Sequence, residues 1–267
     1  MQNNKALGQH WLKNREILDE IANLAVSTGV DGNESAEISP AKTKAKMTCV
    51  EIGPGLGTLT SSLLRRFDKV IAVEYDAELA QKLPGSFPGT NLEVVNEDIL
   101  KYDFSKIEGP YVVAGNIPYY ITSPIIEKVL GVENRPERVV LLMQKEVAER
   151  IVDTRETILS LRVKNLADAK LGPVVRKEEF TPPPKVDSQV LVMRPHAPVV
   201  SDKVMRLIEI GFAAPRKKVT RNLMGLVPRE ELKMGFVRNN INIDVRPGEL
   251  HLEDWQKVYD IVKKIMR

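Results

Sequence analysis

The chain has 267 residues, of which 43% are hydrophobic and 28% charged, and its formal net charge is +3. This composition is ordinary for a globular protein with one large domain, or a large and a small one. No uninterrupted apolar run could cross a membrane and no secretory segment opens the chain, so we expect a cytoplasmic protein. The single cysteine, Cys49, excludes an internal disulfide and a multi-cysteine metal site.

The N-terminal part of the chain predicts a helix followed by a long loop. Asn14 is a candidate helix cap, and Ile17, Leu18 and Ile21 recur at helical spacing. Residues 29–46 are polar and rich in Ser, Ala and Lys, which predicts an exposed loop that is long for a compact domain.

From residue 47 onwards, short apolar strands alternate with helices. We predict strands over 47–53, 69–74, 92–96, 111–115, 138–144 and 190–193, and helices over 58–66, 77–83, 123–130, 145–152 and 156–169. This alternation implies an α/β fold with a parallel sheet covered on both faces. Pro195 and Pro198 then precede a helical segment, so we predict a first domain over 1–198 and a helical domain over 199–267.

The last part of the chain is more basic than the rest. Residues 201–267 contain 14 Lys and Arg against 9 Asp and Glu, whereas the remainder contains 25 against 27. A basic module on a nearly neutral body indicates a polyanionic partner. A solvated helical surface is the ordinary alternative, and charge alone leaves both open.

A glycine-rich turn, residues 51–57 (EIGPGLG), joins the first predicted strand to its helix. Glycines let the chain turn sharply and let a ligand approach the backbone. An acid follows at each of the next two strand ends: Glu74 could accept both hydroxyls of a ribose, and Asp98 an adenine amino group. Each acid alone is more often a solvated loop carboxylate, but together with the turn they favour an adenosyl ligand.

Residues 116–119 (NIPY) follow the fourth predicted strand, and ligands bind beyond the carboxyl ends of such strands. Asn116 offers a hydrogen-bond acceptor and donors, and Tyr119 a face on which a base could stack. A plain strand-to-helix turn is the alternative for these four residues alone. Because the glycine spacing departs from the dinucleotide pattern G-x-G-x-x-G, S-adenosylmethionine fits better than NAD.

Four segments occur together in one order: residues 7–12 (LGQHWL), 51–55 (EIGPG), 116–119 (NIPY) and 182–188 (PPPKVDS). In this the chain resembles the ribosomal RNA adenine N6,N6-dimethyltransferase family over nearly its whole length. The last segment and residues 122–124 are more similar to the small-subunit branch, whose loss in bacteria gives kasugamycin resistance, than to the large-subunit macrolide-resistance branch.

The resemblance implies a Rossmann-like class I methyltransferase sheet with a small C-terminal helical domain. It also implies S-adenosylmethionine as methyl donor, no metal, and 16S ribosomal RNA in the small-subunit precursor as partner. Two adjacent adenosines in a 3′-terminal hairpin loop would be dimethylated, with a role in subunit biogenesis. We further expect a monomer that does not bind membranes. A large-subunit enzyme and a non-catalytic assembly factor are the alternatives.

Site residues follow from the same resemblance. The implied cofactor-binding residues are Gln9, His10, Leu12, Gly53, Gly55, Glu74, Asp98 and Asn116. Asn116 and Tyr119 would also hold the target adenine, with Phe180 as a second stacking aromatic, although Phe180 could equally be a core residue. For RNA binding we expect Arg216, Lys217, Lys218 and Arg221, which lie on one predicted helical stretch.

The chain departs from the family pattern at three places. Trp11 stands where the family usually has Phe, and the 29–46 loop is longer than usual. Residues 151–157 (IVDTRET) replace a loop that commonly contains Gly and Tyr and borders the active site, so the mode of substrate entry is open.

Overall fold

The structure, a computed structural model, describes residues 9–26 and 44–266. Most of the predicted 29–46 loop lies outside the described residues, as do Leu7 and Gly8 of the first motif. Within the described part, no helix is long and apolar enough to span a membrane.

The chain divides into a sheet unit, Met1–Ala148 with Lys170–Pro195, and a helical unit, Glu149–Ala169 with His196–Arg267. This division differs from the predicted one at two places: residues 149–169 belong to the helical unit, and that unit resumes at His196 rather than at residue 199. The reason lies in packing: Leu161, within this segment, is buried in the same apolar cluster as Trp255 and Phe236.

The sheet unit contains a seven-stranded sheet. Its strands are β2 (Ala45–Ile52), β3 (Phe67–Glu74), β4 (Leu92–Asn96), β5 (Tyr111–Asn116), β6 (Arg138–Gln144), β7 (Ala167–Val175) and β9 (Ser188–Pro195). Across the sheet they follow the order β4-β3-β2-β5-β6-β9-β7. The five strands β4, β3, β2, β5 and β6 pair in parallel, whereas β9 is antiparallel to β6. The predicted α/β fold is thus present, but the sheet is mixed rather than wholly parallel, because β9 runs antiparallel to β6.

Helices connect these strands, and a small separate sheet completes the unit. The helices are α1 (Arg15–Val26), α2 (Thr58–Leu64), α3 (Ala77–Lys82), α4 (Thr122–Leu130) and α5 (Lys145–Val152), of which α5 runs across the division between the units. The small sheet pairs β1 (Trp11–Leu12) antiparallel with β8 (Phe180–Thr181). Its two short strands were not predicted, because two residues carry too little pattern.

The central strands are apolar and form the core of the sheet unit. β5 and β6 are almost entirely buried, as are Val70 to Val73 in β3, and the apolar faces of α1 and α2 pack with them. The register aligns Ile52 with Val73 and Gly115, so the ends of neighbouring parallel strands meet at one edge. That edge carries the residues from which the sequence predicted a ligand site.

The helical unit consists of α6 (Ile158–Leu166), α7 (Asp202–Gly211), α8 (Val219–Asn222), α9 (Arg229–Arg238) and α10 (Leu252–Ile265). The predicted helix over 156–169 is shorter at both ends. Thr157 and Ser160 form a capping box that starts α6, and at Ala167 the chain turns into β7, an edge strand that the sequence did not reveal. Gly172 and Pro173 hide β7 from pattern reading, since both are rare within strands but tolerated at an edge.

Glu156, in the atypical 151–157 segment, is buried within the helical unit. Its carboxylate accepts hydrogen bonds from Ser160 Oγ at 2.6 Å and Lys164 Nζ at 2.7 Å, and lies 2.9 Å from His251 Nδ1. Its backbone N–H donates to the carbonyl of Gly248. The segment therefore anchors the start of α6 to the residues that precede α10.

Candidate active site

A cavity of about 360 Å³ opens at the carboxyl ends of the parallel strands. It brings together eight of the predicted site residues: Gln9, His10, Gly53, Gly55, Glu74, Asp98, Asn116 and Tyr119. These come from five parts of the chain, namely the N-terminal segment and the ends of the four strands β2 to β5. The strand register explains the meeting, because Glu74 pairs with Asn96, two residues before Asp98.

The glycine turn leaves backbone exposed to the cavity. Gly53 and Gly55 both have positive φ, at 63° and 56°, which is a conformation that residues with a Cβ rarely adopt. A Cβ on Gly55 would stand 3.0 Å from Trp11 Nε1, whereas one on Gly53 would meet nothing within 4 Å. The Trp11 indole therefore lies directly on the turn and forms part of the cavity wall.

Glu74 is buried at the end of β3, and its carboxylate is already tied to the backbone. Oε2 accepts a hydrogen bond from Gly55 N at 3.0 Å, and Oε1 accepts one from Asp76 N at 2.8 Å. Burial raises the pKa of Glu74, while these two bonds oppose the shift. Because a carboxylate offers about four acceptor positions, roughly two remain for a ligand, as many as a ribose has vicinal hydroxyls.

Asp98 follows β4, and its side chain folds back on its own turn. Oδ1 accepts a hydrogen bond from Leu100 N at 3.0 Å, which fixes the carboxylate at the cavity wall. Ile99 and Leu100 line the same part of the cavity. An acid beside two aliphatic side chains suits a flat heterocycle that carries an amino group.

Glu51 is fully buried near the end of β2, and the next residue, Ile52, lines the cavity. Burial raises its pKa to about 8, and the neighbouring Glu74 adds to the shift. Among the residues that the structure describes, none makes a hydrogen bond to its Oε2. A buried acceptor without a partner is costly, so this oxygen is a candidate for contact with a bound ligand or a water molecule.

The Asn116 side chain has a defined orientation. Its Nδ2 donates to the backbone carbonyl of His10 at 2.8 Å, and because a carbonyl only accepts, the amide nitrogen must be on that side. The amide oxygen is then presented as an acceptor. Nearby, the carbonyl of Pro118 accepts a 3.3 Å bond from Ile121 N and retains a second lone pair.

Tyr119 begins a short 3₁₀ turn after β5, and its side chain contacts other residues through both its ring and its hydroxyl. Its ring lies 5.9 Å from the His10 ring, with 20° between the planes, and its hydroxyl is 2.7 Å from Ser188 Oγ. Burial raises the pKa of the phenol, and the Ser188 contact opposes the shift. His10 Nδ1–H in turn donates to the carbonyl of Pro182 at 2.8 Å, which assigns its tautomer.

Two predicted site residues do not reach the cavity. Leu12 and Phe180 face each other in the β1–β8 sheet and are buried in the apolar core, Phe180 with 2% of its surface exposed. The expectation that Phe180 is a stacking aromatic is therefore not supported, and the alternative core position is what the structure shows. An aromatic in a strand next to a Pro-rich segment satisfies core packing, which the motif alone could not distinguish from stacking.

Residues beyond the predicted set also line the cavity. Trp11, Tyr75 and Tyr120 contribute aromatic surface, and Tyr120 is 63% exposed at its edge. Each directly follows a predicted site residue in the sequence, which is the signal that could have found them. Ser188 lies in the recognised 182–188 segment, but its contact with Tyr119 spans 69 residues and leaves no local signal in the sequence.

The four predicted RNA-binding residues lie in the helical unit, and the expected continuous helix is absent. Arg216 and Lys217 lie in the turn between α7 and α8, Lys218 caps α8, and Arg221 is within it. All four are exposed, but Lys218 forms an ion pair with Asp244. Over residues 9–26 and 44–266, no group of three or more His, Cys, Asp or Glu side chains could hold a metal ion.

Comparisons with known proteins agree on one family. The profile of a family described as ribosomal RNA adenine dimethylase matches residues 1–264. Two relatives named ribosomal RNA small subunit methyltransferase A cover almost the whole chain. The protein from Picosynechococcus is 37% identical over 281 residues, 97% of each chain, and that from Rippkaea orientalis is 36% identical over 275 residues, 95% of each.

Solved structures show the same architecture. A dimethyladenosine transferase from Plasmodium falciparum aligns with a TM-score of 0.73 and 26% identity, covering 96% of this chain and 98% of its own. The 23S rRNA methyltransferase ErmE aligns with a TM-score of 0.71 and 24% identity, covering 95% and 99%. The predicted class I methyltransferase fold is thus confirmed.

Proposed function

The chain belongs to the ribosomal RNA adenine dimethylase family, and from this premise we propose that it dimethylates N6 of adenosines in small-subunit ribosomal RNA. S-adenosylmethionine is the proposed methyl donor. The observation that carries the proposal is the single cavity that contains the glycine turn, the acids Glu74 and Asp98, and an Asn116 oriented to accept a hydrogen bond.

The cavity fits the cofactor on chemical grounds. Two remaining acceptor positions on Glu74 suit the ribose hydroxyls, and Asp98 suits the adenine amino group. The open backbone at Gly53 leaves room for the methionine part.

The end of β5 would hold the target base. Asn116 Oδ1 and the Pro118 carbonyl could each accept one N6 hydrogen, which favours a pyramidal nitrogen with its lone pair directed at the methyl group. Tyr119 would support the ring from one face. A base must leave its stack to enter such a cavity, and stacking offsets part of that cost.

Held by the glycine turn, Glu74 and Asp98, S-adenosylmethionine would supply an electrophilic methyl group to the N6 lone pair. The sulfur would retain the electrons of the broken bond, and one N6 proton would be lost to solvent. The residues contribute position rather than acid–base strength, and positioning is worth up to about 7–11 kcal/mol in model reactions. A second round requires that Asn116 or Pro118 still bind the one remaining N6 hydrogen.

The choice of RNA rests on the relatives. Both bacterial relatives are named as small-subunit enzymes, and they match the chain over nearly its full length at 36% and 37% identity. ErmE, named as a 23S rRNA enzyme, is less than 25% identical and shares the fold alone. Exposed Arg216, Lys217 and Arg221 would contact phosphates, which orient RNA without reading its sequence.

The test is a methyl-transfer assay on small or large ribosomal subunits that lack the modification, with labelled S-adenosylmethionine and mass spectrometry of the digested RNA. We expect dimethyladenosine in small subunits only. Label in large subunits would assign the chain to the other branch. RNA and cofactor binding without any label, on subunits at several stages of assembly, would contradict the enzyme and favour a non-catalytic assembly factor.

A further inference from the structure

The Tyr119 hydroxyl contacts a residue to which the proposed reaction gives no role. Its oxygen lies 2.7 Å from the Oγ of Ser188, a side chain with 0% of its surface exposed. Between two neutral hydroxyls this is a short, well-formed hydrogen bond, and either oxygen can be the donor. Ser188 does not line the cavity, so any effect it has on a bound base must pass through Tyr119.

The Ser188 backbone is fixed by the sheet. Ser188 is the first residue of β9 and pairs with Gln144 at the end of β6. The preceding residue, Asp187, accepts a hydrogen bond from Lys145 N at 3.0 Å through its carbonyl and one from Lys177 N at 3.0 Å through its carboxylate. The hydroxyl therefore projects from a position held on both sides.

Tyr119, by contrast, follows the end of β5 in a short turn and is partly exposed. Its ring has two restraints among the described contacts, the His10 ring on one face and Ser188 at the hydroxyl. Without the second restraint the ring could slide over His10 or swing about its side-chain torsions. A displacement of about 1 Å at a reacting group can cost roughly 100-fold in rate.

We propose that Ser188 is a positioning residue that sets the plane of the Tyr119 ring, and hence the position of the target adenine, through its buried hydroxyl. The inference rests on the proposed function, since it gives Tyr119 the role of a base platform. Ser188 itself touches neither base nor cofactor. Its loss should therefore lower kcat and leave the KM for RNA and the cofactor affinity nearly unchanged.

The kinetic test is a double-mutant cycle with Ser188→Ala, Tyr119→Phe and the double variant. Phe keeps the ring and removes only the hydroxyl, so each single change breaks the same bond. We expect a similar loss of kcat in both, about tenfold, and no further loss in the double variant. Additive losses, or an unchanged kcat in Ser188→Ala, would overturn the proposal.

Gln189→Ala is the matched control, because Gln189 is the next residue of β9, is also buried, and donates instead to the carbonyl of Gly172. We expect it to lower the melting temperature without changing kcat. An equal loss of kcat in this control would show a general disturbance of β9 and overturn the assignment to Ser188.

A second readout does not depend on activity. In protein labelled with ¹³C-tyrosine, the Tyr119 resonance is assigned by its change in Tyr119→Phe, and we expect it to shift or broaden in Ser188→Ala. An unchanged resonance would overturn the positioning role. If the wild-type protein transferred no methyl group, the proposed function would fail in the kinetic assay, while this measurement would still decide the Ser188–Tyr119 contact.

Discussion

The sheet unit and the helical unit present their candidate functional residues in opposite ways. In the sheet unit, Glu74, Asp98 and Asn116 are far apart in sequence and meet only because parallel strands end at one edge. In the helical unit, Arg216 to Arg221 are near neighbours in the chain and project from a turn and a short helix. The first arrangement depends on exact geometry, the second on charge.

This difference predicts how each unit responds to change. Changing one side chain in the cavity should strongly reduce methyl transfer or cofactor affinity while leaving RNA affinity nearly intact. Removing charges from the turn should weaken RNA binding in a graded, salt-dependent way.

Asn116→Ala should reduce the rate of methyl transfer by about 100- to 1000-fold, the usual cost of losing one preorganised hydrogen-bonding group at a reacting centre. Single-turnover assays with saturating RNA measure it. Asn91→Ala is the control, because the Asn91 amide also donates to a backbone carbonyl, that of Asp68, but at the start of β4. A rate within about threefold of the wild type for Asn116→Ala would contradict the account.

Glu51→Gln should make the protein more stable at alkaline pH. The folded-state pKa of Glu51 is about 8, above the ordinary value of 4.5, so between these pH values the folded protein holds a proton that the unfolded chain has lost. Stability from this group is complete below pH 4.5 and falls as pH rises to about 8, by at most about 1.4 kcal/mol per unit.

Urea denaturation of the Glu51→Gln variant and the wild type between pH 5 and 8.5 measures the effect. We expect the stability difference to grow with pH up to about 8 and then level off. The exposed Glu108→Gln serves as control. A difference that stays constant over this range would show that burial does not raise the pKa of Glu51.

Gly211→Ala should destabilise the helical unit by about 1–3 kcal/mol, because it overpacks a filled core. A Cβ at Gly211 would overlap the Trp255 ring, which is fully buried. Gly225→Ala is a matched control in the same unit, since no atom lies within 4 Å of its new Cβ. Chemical denaturation in a Trp11→Phe background, where Trp255 is the remaining one of the two tryptophans, distinguishes the variants by fluorescence. Equal stability of both variants would contradict the packing described.

A plot of log affinity against log salt concentration has a negative slope. Neutralising Arg216, Lys217 and Arg221 together should make this slope less steep by roughly 2, because each phosphate contact contributes about 0.7–0.9 to its magnitude. Lys218 is left in place because it is paired with Asp244. Filter binding at salt concentrations from about 50 to about 300 mM measures the slope. A variant lacking Lys203, Lys263 and Lys264 controls for net charge, and a loss of affinity that does not change with salt would contradict phosphate contacts.

The sequence predicted the parts of the fold that repeat a local pattern. Apolar strands followed by Glu74, Asp98 and Asn116 could be placed at one edge, because parallel strands align their ends and each acid follows a recognisable strand. The sequence did not predict β7, because Gly172 and Pro173 interrupt the alternating pattern of a strand. Residues 149–169 were assigned to the first domain, whereas packing places them in the helical unit, and sequence order alone does not show this.

The finer structure of the site depends on contacts between distant segments. The bond from Asn116 to the His10 carbonyl spans 106 residues, and that between Tyr119 and Ser188 spans 69. Neither bond has a local signal in the sequence. All four residues lie in motifs where a direct contact with the ligand is an equally good explanation for their presence. Phe180 shows the reverse case, in which an aromatic within a recognised motif is buried in the core.

The division of labour between the two units is tested most directly by measuring cofactor and RNA affinity side by side for two variants. These are Glu74→Gln and the variant lacking Arg216, Lys217 and Arg221. We predict that Glu74→Gln weakens S-adenosylmethionine binding about tenfold or more and leaves RNA affinity unchanged, while the basic variant does the reverse. Loss of both affinities in either variant, or unchanged cofactor affinity in Glu74→Gln, would contradict the account.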